Sequence, residues 1–308
     1  MKDLRDQGDA QSNGFRNSGH AVDLQSGKHD LHVRPMLSGE ESFVLEALTA
    51  KPLHNVIVIG LILDNGLESA KNRGICYACF AEDRLVGVAL IGHHVLLSGS
   101  PESSEAFADI AVLNHSSEVK VVLGEQPLAD VFCHRFEAAS GPRVIHSNTD
   151  HLLLASFGVE CDKDPFVNLR KAFREEAEAI AKINSGAFME LYGINPETMD
   201  RNGFRRRILG RVEMGRIWVL TDESGIAFKA DVVSATPDAV YLEAIVTRPE
   251  LRGSGVGTRA FQSLCAKLLM DHKAVCLLAD LKNQRAISFY LNIGFTPAAF
   301  YRLIRYLD

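Results

Sequence analysis

The chain has 308 residues, about twice a typical domain of roughly 150 residues, so two domains are expected. Hydrophobic residues make up 46% and charged residues 23%, ordinary values for a globular protein that exclude global disorder, a collagen repeat and a small disulfide scaffold. A net charge of −6 argues against a nucleic acid or anionic membrane partner; the longest apolar run, Val56 to Leu63, is far short of the ~20 residues that span a bilayer, and with no leader-like N-terminus the expected location is cytoplasmic.

Residues 1–28 are rich in Asp, Gln, Ser, Asn and Gly without apolar periodicity, and read as a disordered tail. Apolar spacing then predicts a helix over Glu40–Ala50 and strands over Ile75–Ala81 and Leu85–Ile91 about a turn at Glu82-Asp83. A helix near Glu105–Leu113, a strand Val119–Leu123, a helix near Leu128–Ala138 and a strand Leu152–Phe157 follow. The polar stretch Glu160 to Pro165 marks a boundary, since its proline discourages a continuing helix. Domains are therefore expected over 29–160 and 161–308.

The second half predicts a strand Val167–Arg170, helices Arg174–Phe188 and Arg201–Val212, and strands Arg216–Thr221 and Ile226–Val233 joined by the turn Asp222–Gly225. A strand Val240–Val246, a helix Gly255–Asp271, a strand Ala274–Leu278, a helix Gln284–Asn292 and an extended segment Phe300–Leu307 complete it. The two halves share an order of elements without a residue-level repeat, which suggests a duplicated fold.

The six cysteines are thinly spread and read as reduced core thiols. Cys76-Tyr-Ala-Cys79 has no second pair downstream to complete a zinc site, and no metal is expected. His93-His94 and Glu40-Glu41 likewise lack partners at metal or catalytic spacing.

The chemistry is concentrated in two segments. The first runs from Tyr241 to Thr258: a strand, a Gly-rich turn containing Gly253, Gly255 and Gly257, and a helix whose apolar positions begin at Val256. A helix N-terminus presents unpaired amides and positive charge, which suits a phosphate or pyrophosphate, and Arg252 adds a cationic fork. No Gly-Lys-Ser/Thr ending and no Gly-x-Gly-x-x-Gly spacing is present, which excludes nucleotide-hydrolysing and dinucleotide loops. The plainer reading is a tight strand-to-helix turn. In the second segment, Asn283 to Phe295, Asn283 stands at an N-cap position, Tyr290 lies on the apolar face and Gly294 is placed to end the helix. Its plainer reading is a capped amphipathic helix with Tyr290 as a core aromatic.

Together, over roughly residues 165–308, these segments resemble the GNAT superfamily of acetyl-CoA-dependent N-acetyltransferases. Arg252-Gly-Ser-Gly-Val-Gly257 matches its Arg/Gln-x-x-Gly-x-Gly/Ala pyrophosphate loop, Thr247-Arg-Pro249 stands at its Val-x-Pro approach, and Asn283 to Phe295 matches its Asn-x-x-Ala-x-x-x-Tyr and Gly-Phe pattern. The resemblance implies an α/β (α+β) fold of two tandem GNAT-like domains, each a mixed, mostly antiparallel twisted sheet flanked by helices. It implies acetyl-CoA as cosubstrate and an amine acceptor, small molecule or peptide; the oligomeric state is unspecified.

The resemblance also assigns roles. The backbone of Ala244, Ile245 and Val246 would pair with the pantetheine arm and donate to the thioester carbonyl. Amides of Gly253, Ser254, Gly255, Val256, Gly257 and Thr258, beside Arg252, would hold the pyrophosphate, and Asn283 would contact the cofactor. Tyr290 would protonate the departing thiolate, and Glu243 would receive or orient the substrate ammonium. The corresponding position on the next strand is Leu278, with Asp280 just beyond as an alternative base; an ordinary strand-edge carboxylate is the plainer reading of Glu243.

The first half lacks these motifs. After its strand Val119–Leu123 comes Gly124-Glu-Gln-Pro-Leu128, with a carboxylate where a pyrophosphate would lie, so the arrangement looks like a tandem protein whose first copy has lost cofactor binding. The arginines Arg201, Arg205, Arg206, Arg207, Arg211 and Arg216 can steer phosphates or an acidic substrate, but read first as a solvated helix face. The expected activity is direct acetyl transfer from acetyl-CoA to a primary amine. The rival is a non-catalytic acyl-CoA-sensing module acting on a partner protein.

Overall fold

A computed structural model describes residues 22–26, 29–141, 143–159 and 168–306. Its first half runs β1 (Val22–Ser26), β2 (His29–Pro35), α1 (Glu41–Thr49), α2 (Pro52–Asn65), β3 (Gly74–Ala81), β4 (Arg84–Gly92), β5 (His94–Gly99), α3 (Pro101–His115), β6 (Val121–Glu125), α4 (Gln126–Ser140) and β7 (Ile145–Ser156). The second repeats the pattern: β8 (Arg170–Lys171), α5 (Ala177–Tyr192), α6 (Pro196–Glu213), β9 (Ile217–Asp222), β10 (Gly225–Ala235), β11 (Val240–Thr247), α7 (Val256–Leu268), β12 (Val275–Asp280), α8 (Gln284–Asn292) and β13 (Thr296–Tyr306).

Among the described residues these strands form one 13-stranded sheet, ordered β1-β2-β3-β4-β5-β6-β13-β7-β12-β11-β10-β9-β8. Only β5·β6 and β11·β12 run parallel. The fold is the mixed, mostly antiparallel tandem architecture expected from the sequence. The halves exchange their last strands: β13 pairs with β6 of the first half, and β7 pairs with β12 of the second. β13 and β7 then pair with each other at the centre. The expected boundary at 160–165 lies outside the described residues, and the sheet pairing crosses it.

Strand alternation sends the two faces of the sheet to different helices. Tyr77 and Cys79 pack with α3 and α4, whereas Cys76 and Ala78 pack with α1 and α2. The Cys76/Cys79 pair is thus split across the sheet, and burial pushes both thiols up to about 12. In the second half Leu242, Val275 and Leu277 pack with α7 and α8, while Ile217 and Val219 pack with α5 and α6.

Two sequence expectations are corrected. Val22–Ser26, assigned to the disordered tail, is a strand pairing antiparallel with β2; edge pairing is made by backbone groups and does not require an apolar sequence. The rest of that tail lies outside the described residues. The run Val56–Leu63 belongs to α2, which the sequence reading missed. Val58, Ile59 and Ile62 join one core and Val56 another, with Tyr241 and Tyr301. A helix wedged between two cores is apolar on most sides and loses the period that would reveal it.

Candidate functional site

β11 and β12 are hydrogen-bonded neighbours only from Val240↔Val275 to Leu242↔Leu277. β12 continues along β7 to Asp280↔His151, and β11 stays with β10 to Thr247↔Phe228, so the parallel pair splays open beyond Leu242. The residues expected to meet the pantetheine arm, Ala244, Ile245 and Val246, line this opening on β11. A register shift opposite Ala230 bulges the strand here, and Ala244 adopts φ +46°, a left-handed conformation uncommon for a residue with a Cβ.

Sequence reading missed the group beneath this bulge. Lys229 and Asp231, on β10, are fully buried. The Lys229 ammonium donates to Asn184 Oδ1 at 2.6 Å and to the Ala244 carbonyl at 3.0 Å, and lies 2.7 Å from Asp231 Oδ1. Asn184 on α5 donates in turn to Asp231 Oδ2 at 3.1 Å, and Arg211 stands 3.6 Å from the same oxygen. Desolvation pulls the Lys229 pKa down, against the opposing pull of Asp231. A buried ion pair is thus tied to the carbonyl of the strained bulge residue. The available signal was two charges at i, i+2 inside the apolar strand Ile226–Val233.

The Gly-rich turn follows as a 3-10 turn (Pro249–Leu251) and a loop into α7. Gly253 and Gly255 both adopt φ +82°, which L side chains rarely adopt. A Cβ on Gly257 would collide with Thr247 Oγ1. Gly255, at the N-cap of α7, has no side chain to cap the helix, and among the first amides Val256 N–H donates to Ser254 Oγ at 3.4 Å; a helix start of this form suits an anion. The fork of Arg252 is held by Glu190 of α5, at 2.9 and 3.0 Å.

Tyr290, on α8, lies in the core between α7 and the sheet, only 9% exposed. Its ring centroid is 5.2–5.9 Å from those of Phe289, Phe261 and Phe295. Burial pushes the phenol pKa up, which keeps it protonated. Asn283 caps α8, accepting from Ala286 N–H at 3.1 Å. Glu243 is exposed at the mouth of the opening, beside the Tyr241 hydroxyl, which burial and this carboxylate together hold well above its usual pKa. Asp280 ends β12 directly opposite His151. Leu278 packs in the core shared with α2.

The first half is arranged otherwise than the sequence suggests. Gly124–Leu128 is not the counterpart of the Gly-rich turn; by topology β6–α4 corresponds to β12–α8, and the counterpart of the turn is the β5–α3 junction. There Ser100 alone separates strand from helix, Pro101 opens α3, and a capping box occupies the helix end, with Ser103 N–H donating to Ser100 Oγ at 3.2 Å and Ser100 N–H to Ser103 Oγ at 3.0 Å. Glu125 instead takes the place of Asp280: it lies opposite Tyr301 on β13 as Asp280 lies opposite His151 on β7. α2 fills this end, with His54 Nδ1 3.2 Å from Glu125 and 3.1 Å from the Tyr301 hydroxyl. The contrast between a glycine loop and a spent helix end was legible; its location required the topology.

Of the second-half arginines, most are paired: Arg201 with Glu197, Arg205 with Glu178 and Glu197, Arg207 with Asp200, and Arg216 with Asp64. Glu40 of the Glu40-Glu41 pair is engaged by Arg34 at 2.8 Å. No group of His, Cys, Asp or Glu arranged to hold a metal occurs among the described residues, and none of their helices is long and apolar enough to cross a membrane.

Residues 213–297 match the family model of the acetyltransferase (GNAT) domain. Solved structures that share the fold include a GNAT-family acetyltransferase from Colwellia psychrerythraea, with 12% identity, TM-score 0.54 and coverage of 90% of this chain and 99% of that one. A tandem GNAT protein from the clavulanic acid biosynthesis pathway aligns with 14% identity and TM-score 0.55 over 89% of this chain and 98% of its own. A Drosophila protein aligns with 12% identity and TM-score 0.64 over 89% and 98%. No curated protein matches the chain in sequence.

Proposed function

We propose that this chain, a tandem GNAT protein with a degenerate first copy, transfers the acetyl group of acetyl-CoA to a primary amine by direct attack, using its second half as the catalytic unit. The observation that carries the reading is the splayed β11/β12 pair leading into a glycine-rich helix start whose N-cap residue has no side chain. An extended pantetheine arm would add to the free edge of Ala244–Val246, with its pyrophosphate on the first amides of α7.

In this reading Glu243 draws the acceptor ammonium to the mouth of the opening and takes up its proton, directly or through water, with Asp280 as the alternative base. The amine nitrogen then forms a bond to the thioester carbonyl carbon while backbone amides of β11 stabilise the oxyanion. The nitrogen gives up its second proton to solvent as the carbon–sulfur bond breaks, and the leaving thiolate takes the phenolic proton of Tyr290, which is later restored from solvent. The products are an N-acetylated amine and CoA. A cytoplasmic location is part of the same proposal.

Calorimetric titration of the full chain with acetyl-CoA tests the assignment of the site. One site per chain is expected, lost in Gly255→Glu, because that substitution puts a carboxylate at the helix end and an L side chain at a left-handed position. Two comparable sites, or binding that survives the substitution, would show that the loop does not hold the cosubstrate. Binding without release of free CoA across an amine panel would replace transfer by sensing.

A further inference from the structure

Helix α5 touches both ends of the path that an extended acetyl-CoA would follow. Near its middle the buried Asn184 accepts from the Lys229 ammonium, which also donates to the Ala244 carbonyl of the bulge. Farther along, a rise of about 9 Å, Glu190 holds the fork of Arg252 through Nη1 and Nη2, at 2.9 and 3.0 Å. The helix then closes at Gly193, with φ +67°.

Both terminal nitrogens of Arg252 are thus committed to one carboxylate. Its Nε donates to the Thr247 carbonyl at 3.3 Å, at the end of β11, which keeps the guanidinium beside the glycine loop. A planar fork engages one bidentate anion at a time, so Glu190 and a pyrophosphate on the first amides of α7 compete for the same two donors. The Arg252 hydrogen bonds hold the Glu190 carboxyl below the usual carboxylate range. It is therefore ionised at neutral pH, and sharing the fork with a phosphate would bring like charges together. Glu190 is the weaker claimant: its side chain is 59% exposed, exposed ion pairs contribute little, and the pyrophosphate gains the helix start as well.

We propose that Glu190 is a displaceable stand-in for the pyrophosphate: acetyl-CoA replaces it on Arg252, and the replacement releases the last turn of α5 from the glycine loop. The proposal rests on the reading that this loop holds the cosubstrate. Glu190 acts through Arg252 and sets cosubstrate affinity. It also links the state of the loop to α5, whose Asn184 braces the strand on the pantetheine side.

Calorimetric titration with CoA, and with inorganic pyrophosphate as the minimal probe, tests the replacement. Glu190→Gln is expected to tighten CoA binding roughly 2- to 5-fold, the worth of an exposed ion pair. Arg252→Met should weaken it by about 10-fold, the loss of a charge-assisted contact. Adding Glu190→Gln to Arg252→Met should change nothing further, since no fork remains to release. Hydrogen exchange supplies a second readout: amides from Phe188 to Tyr192 should exchange faster when CoA is added to the wild type, and should be faster already in Glu190→Gln without CoA. Weaker CoA binding by Glu190→Gln would overturn the proposal and make Glu190 a brace that orients Arg252. An equal gain with and without Arg252 would reduce Glu190 to a repelling charge, and an unchanged CoA affinity would leave it no role; either result sinks the replacement while the loop assignment stands. Absence of CoA binding to the wild type would sink both.

Discussion

Lys229→Met is expected to cost about 3–5 kcal/mol of stability, because it leaves the buried Asp231 carboxylate without its cation. Arg211 lies 3.6 Å from Asp231 but reaches only the outer oxygen, and Asn184 offers a neutral donor. Urea denaturation should show a lowered midpoint. A second variant separates charge from positioning: Lys229→Met with Asp231→Leu removes both charges, and replacing a buried ion pair by apolar groups is often near neutral. Much of the stability should return. The Ala244 carbonyl would still lack its donor, so the bulge loses its tether and the acetyl-CoA KM stays raised. Full recovery of KM in the double variant would mean that the bulge holds without the ammonium; wild-type stability of Lys229→Met would mean that Arg211 and Asn184 suffice to hold the Asp231 carboxylate.

Tyr290→Phe is expected to lower kcat by roughly 10²–10⁴-fold, the usual span for removing a positioned proton donor. Stability should hardly change, since phenylalanine keeps the ring packing with Phe261, Phe289 and Phe295. Acetyl-CoA affinity should be nearly unchanged for the same reason. Because burial raises the phenol pKa, the donor form persists above its ordinary titration range, and the wild-type kcat profile should not fall near pH ~10 on account of this group. Wild-type turnover in the variant would make Tyr290 a core aromatic alone and move the acid elsewhere.

Much of the fold was legible because its second half follows simple rules. The apolar stripe Ala260, Phe261, Leu264, Cys265 and Leu268 marks α7, and Asn283 and Gly294 bracket α8. The missed elements share a physical cause. α2 is buried on two sides, β5 begins at the half-buried His94, half of a pair that the sequence presents as polar, and β1 is held by its neighbour's backbone. At the site, the glycine loop could be read locally because its function is backbone geometry. The buried group under the β11 bulge could not, since Asn184, Lys229 and Ala244 come from separate elements and meet only in the folded chain.

The exchange of last strands bears on why a copy without a cofactor loop persists. Each half lends its last strand to the other: β6 is covered by β13 and β12 by β7, so a half on its own would have to fold its own last strand back to cover the edge that the exchange now closes. Removing the first half would take β7 from the edge of β12 and His151 from beside Asp280, so the half without a glycine loop is part of the framework that holds the half with one.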